Sequence, residues 1–159
     1  MRLIIEPEFL LYGFTVPRGT ETTEILGDVR GVKIGVTDTL PSLSERFFFD
    51  VQGVCAEIEF GKHDIFKPEQ AELEAQKQGW FVADSREFAS FARQIPKGYP
   101  NQMPEFLIGA LGSGNSSDLW ILERTGWDNE AEFSLVSISS ARLPVKLLHI
   151  LLIRQYPQD

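Results

Sequence analysis

Five residues lying close together in the chain have side chains that could do chemistry: Cys55, Glu57, Glu59, His63 and Asp64. In a strand over residues 54–60, Cys55, Glu57 and Glu59 share one face, and Val54, Ala56, Ile58 and Phe60 share the other. Alternate carboxylates would then stand roughly 6.6 Å apart by strand rise. With His63 and Asp64 just past the strand end, such a set could ligate a divalent metal. Glu57, Glu59 and His63 could equally pair as acid and base in a small metal-dependent hydrolase. The competing reading is an ordinary solvated strand face running into a loop. No Cys-x-x-Cys or His-Glu-x-x-His motif lifts the metal reading above it. Cys55 makes a poor nucleophile, because carboxylates on its own face oppose the thiolate.

Other candidates fare no better. His149 sits in the apolar run 147–153, where a histidine held by one backbone hydrogen bond is the common case. The glycines at 109, 112 and 114 lead into Asp118-Leu119-Trp120-Ile121-Leu122, a strand pattern. A dinucleotide-binding loop must instead open a helix, so a hairpin connection is the expectation. No Gly-x-Ser-x-Gly elbow is present.

Charge carries more content. Acids outnumber bases 23 to 15, for a net charge of −8. That excludes DNA and RNA as the expected partner class, since phosphate binding draws on clustered Lys and Arg. Two windows hold the excess: residues 57–74 with six acids against two bases, and residues 118–132 with five against one. They are either solvated faces or a negative patch that steers a basic protein and offers carboxylates to its Arg and Lys. The partner-binding candidates are Glu69, Glu72 and Glu74 in the first window. In the second they are Trp127, Asp128, Glu130 and Glu132, with Trp127 as an aromatic anchor among acids. The leading expectation is a non-enzymatic acidic binding module, of inhibitor or immunity type, that neutralises a basic protein and needs no cofactor. The alternatives are the hydrolase above and a structural subunit of a larger assembly. In the last, Phe47-Phe48-Phe49 and the C-terminal apolar run would form the interface.

The elements that must position these residues follow from periodicity. At 159 residues, 43% apolar and 24% charged, the chain suits one domain over residues 1–159 that needs no disulfide or metal staple. Alternation marks strands around Leu10, Tyr12, Phe14 and Val16 and around Val32, Ile34 and Val36. The apolar phase slips by one residue at Gly53, which predicts a bulge or a tight hairpin there. Pro68 opens a helix over about 68–78 that Gly79 stops, and its thin apolar content leaves most of it wet. A second helix spans about 85–95, with Asp84 and Glu87 at capping-box spacing and Phe88, Phe91, Ala92 and Ile95 on one stripe. Strand character returns from Phe106 onward, and residues 145–156 lean to strand. The expected fold is therefore α+β, a mostly antiparallel sheet with two helices inserted near the middle of the chain.

One thiol excludes an internal disulfide and fits a reducing compartment. The apolar start is broken by Glu6 and Pro7, unlike a secretory signal, and no apolar run approaches the roughly 20 residues that span a bilayer. The expectation is a cytoplasmic protein without a membrane segment.

Overall fold

In a computed structural model, the structure describes residues 1–5, 11–17, 25, 32–35, 48–99, 102–110, 118–125, 132–139, 143 and 148–157. Along the chain these form β1 (Arg2–Ile4), β2 (Tyr12–Thr15), β3 (Val32–Gly35), β4 (Asp50–Glu59), α1 (Pro68–Lys77), β5 (Phe81–Val82) and α2 (Ser85–Gln94). A 3-10 turn at Pro96–Gly98 then leads to β6 (Phe106–Gly109), β7 (Asp118–Thr125), β8 (Glu132–Ser139) and β9 (Leu148–Gln155). All nine strands join one sheet in the order β1-β4-β9-β6-β7-β8-β3, with β2 also on β4 and β5 also on β9. Among the described strands, only β6–β9 and β3–β8 run parallel. Among the described residues, the chain adopts the expected α+β arrangement, a mostly antiparallel sheet with two helices.

The sheet is the middle layer. Odd-numbered positions of β4 and β9 (Val51, Cys55, Leu151, Ile153) pack with Phe88, Phe91, Ala92 and Ile95 of α2. Even-numbered positions (Val54, Ala56, Ile58, Ile150, Leu152) pack with Ala71 and Ala75 of α1 and with Trp80. Fully burying a ring such as Phe88 or Phe91 contributes about 1.5–3 kcal/mol each. The chain crosses from one face to the other through the sheet itself, because β5 pairs with β9 at Phe81↔Ile153 and Val82↔Leu152.

This two-faced burial corrects the reading of Gly53. The register from Val51↔Gln155 to Glu57↔His149 runs without a bulge or turn. The apolar phase slips because β4 is covered on both sides by two different helices, so both parities turn apolar. Gly53 serves close packing instead: a Cβ there would sit 3.0 Å from the Phe14 ring and 3.4 Å from Leu151.

Both helix boundaries have local causes. Gly79, at φ +81°, ends α1 in a Schellman turn, with Trp80 N–H donating to Ala75 O and Gly79 N–H to Gln76 O. Asp84 opens α2 with the expected capping box: its carboxylate accepts from Glu87 N–H at 2.8 Å, and its own N–H donates to Glu87 Oε1 at 2.9 Å.

Candidate functional site

Strand β4 does place Cys55, Glu57 and Glu59 on one face, as alternation requires, but the three meet different surroundings. Cys55 is buried under α2, whereas Glu57 and Glu59 are exposed at the far end of the strand. Burial pushes the Cys55 thiol up to about 12. Desolvation, rather than the neighbouring carboxylates, is therefore what keeps it protonated. Tyr12, in edge-to-face contact with Phe91 and Tyr99, is raised for the same reason, with Cys55 and Tyr99 adding to the shift.

The remaining members of the expected metal set are engaged apart from one another. Glu59 pairs with Arg2 of β1 at 3.1 Å. Asp64 accepts from the Met1 ammonium at 2.7 Å and from Gly61 N–H at 2.6 Å, which hold its carboxyl below the usual carboxylate range. His63 is exposed in the loop beyond β4. Among the described residues no three His, Cys, Asp or Glu side chains are placed to hold a metal. What faces Glu57 is a histidine the metal reading never included: His149 lies directly opposite it in the β4–β9 register. His149 and Glu57 are more than 90 residues apart in sequence, so only strand pairing brings them together.

The first acidic window is laid out along α1 and the loop before it. Ala71 and Ala75 point at the sheet, so the helical period turns Glu69, Glu72, Leu73 and Gln76 outward. Glu69 and Glu72 are exposed, and neither enters an ion pair with a described residue. Glu74 is half-buried and tied to Lys77 at 3.0 Å, which removes it from the free set. Leu73, next to Glu72 and one turn past Glu69, is 59% exposed, and Ile65 in the preceding loop is 68% exposed. Sequence patterning missed these two, since a lone exposed apolar residue carries no periodic signal.

Of the second window, Trp127, Asp128 and Glu130 lie outside the described residues, and Glu132 is placed only by its backbone, opposite Thr125. Trp120 is core, packed on the α2 face at 2% exposure. The interface expected for a structural subunit also changes. The C-terminal run becomes β9, an interior strand with neighbours on both sides; Phe48 packs against Phe81, Phe49 stays 47% exposed, and Phe47 lies outside the described residues. Among the described residues no helix is long and apolar enough to cross a membrane. Comparison with known proteins finds no matching family model, no similar curated protein and no similar solved structure.

Proposed function

We propose that this chain is a non-enzymatic acidic binding module, of inhibitor or immunity type, that docks a basic protein through the outward face of α1. The observation that carries the reading is the pairing of two exposed carboxylates, Glu69 and Glu72, that form no ion pair with a described residue, with the exposed Leu73, which follows Glu72 and lies one helical turn past Glu69. Carboxylates there would take up Arg and Lys of the partner, and Leu73 would supply the small dry contact around which such pairs gain strength. In a nuclease-like partner the same carboxylates would occupy a phosphate-binding site by imitating its charge. Trp127, Asp128, Glu130 and Glu132 join the proposal from their sequence pattern alone. A cytoplasmic setting belongs to the same proposal and is supported by the single thiol.

The test is affinity capture at low salt from the source cells, with the wild-type chain and with a Glu69→Lys/Glu72→Lys double variant run side by side. The reading expects one basic protein retained in near-stoichiometric amount by the wild type and lost by the variant. Retention of no basic protein, or equal retention by both chains, would remove it.

A further inference from the structure

Among the described strands, the β1/β2 lane is the outer edge of the sheet beyond β4, and glutamine side chains reach across to it at two places. Gln94, the last residue of α2, accepts from the Thr15 N–H at 3.1 Å and donates to the Thr15 carbonyl at 2.7 Å. Gln78, just after α1, donates to the Leu3 carbonyl of β1 at 3.0 Å. The Gln94 carboxamide thus makes, with one side chain, the same two hydrogen bonds that a residue of an added strand would make.

The parity of β2 shows what this blocks. Val16 N–H donates inward to Phe49 O, so even-numbered residues of this strand bond to β4 and odd-numbered ones point their N–H and C=O away from it. Leu11, Gly13 and Thr15 are the outward set. All three are exposed, and the outward groups of Gly13 meet no backbone partner among the described residues. An exposed edge of this kind is a template for pairing with another chain. The matching template that every copy of this protein carries is its own β2. Antiparallel pairing on a two-fold axis at Gly13 sets Gly13 against its counterpart and Leu11 against Thr15 of the second copy. Because of that symmetry, a group sitting on Thr15 obstructs both ends of the pairing at once. The exposed Leu11 and the Tyr156 ring, which lies over Gly13, would then flank the join.

We propose that Gln94 is a gate on self-association: its carboxamide closes the β2 edge, and its loss lets two copies of this chain pair through β2. The gate stands apart from the acidic face of α1, and its test uses the purified chain alone.

The experiment is sedimentation velocity of Gln94→Ala over a concentration series, read together with backbone amide exchange. The variant is expected to rise toward twice the monomer mass relative to wild type as concentration increases. Its Thr15 amide should exchange faster than wild type when dilute and slow again when concentrated. Adding Thr15→Pro, which deletes only an outward donor and is a substitution an edge strand tolerates, should abolish the association. Gln94→Glu serves as a second variant of the same size. It keeps the acceptor for the Thr15 N–H but turns a repelling oxygen toward the carbonyl, and it should associate as well. Wild-type sedimentation by every folded Gln94 variant would overturn the proposal. So would association that persists in the Thr15→Pro double variant.

Discussion

Cys55 and Tyr12 show how position in the sheet decides residue chemistry. Each is held protonated by burial, the thiol from its ordinary 9.0 up to about 12 and the phenol above its ordinary 10.0. As pH rises past about 9 the unfolded chain releases these protons and the folded one does not, so the unfolded state gains. Stability contributed by the protonated groups is full below pH 9 and declines as pH climbs toward 12. Thermal unfolding followed from pH 8 to 11 should show a falling midpoint, with a shallower fall in a Cys55→Ala/Tyr12→Phe double variant. The same burial predicts that iodoacetamide modifies Cys55 only at the rate of unfolding. Gly109 lies against Phe88 so closely that any Cβ would enter the ring. Gly109→Ala should cost about 1–3 kcal/mol in denaturant titration, the usual range for overpacking a filled core.

At the scale of elements, α2 is stabilised at its start by a capping box whose two acidic members are buried. Asp84→Ala should lower stability by about 1–2 kcal/mol, the upper part of the range for a lost N-cap. Ser85→Ala, on the same turn without the cap bonds, provides the comparison. This helix was legible from the sequence because cap, apolar stripe and terminating prolines all agree over ten residues. The wet character of α1 was legible too, from its few apolar positions. Strand β4 was misread at one residue because alternation assumes a solvated face, and a strand covered by helices on both sides loses that contrast. The polar cluster at its end, read as a solvated face with a metal set as the alternative, has partners that the sequence does not reveal. Glu59 takes Arg2 as its partner, 57 positions away, and Asp64 takes the chain's first residue, so the contacts that disperse the set leave no local trace. His149 opposite Glu57 was hidden likewise until strand pairing placed it.

At the scale of the molecule, the exposed acidic side chains among the described residues stand on both sides of the sheet. Glu57 and Glu59 lie on the side of α2, and Glu69 and Glu72 lie outside α1 on the other. Among the described residues, the α1 side sets exposed carboxylates beside an exposed apolar residue within one helical turn, and the docking proposal rests there. Reversing Glu69 and Glu72 to Lys should cost about 1 kcal/mol of stability or less, chiefly because Glu69 sits in the first turn of α1 where the helix dipole favours an acid. Its effect belongs to binding, where charge acts chiefly on the rate of encounter. The most direct measurement is therefore the association rate constant between the chain and the basic protein it captures, followed across ionic strength for the wild type and the double reversal. The account predicts a rate that falls steeply as salt screens the approach, and about tenfold or more slower association for the reversal at low salt. A rate indifferent to salt and equal for both proteins would contradict it.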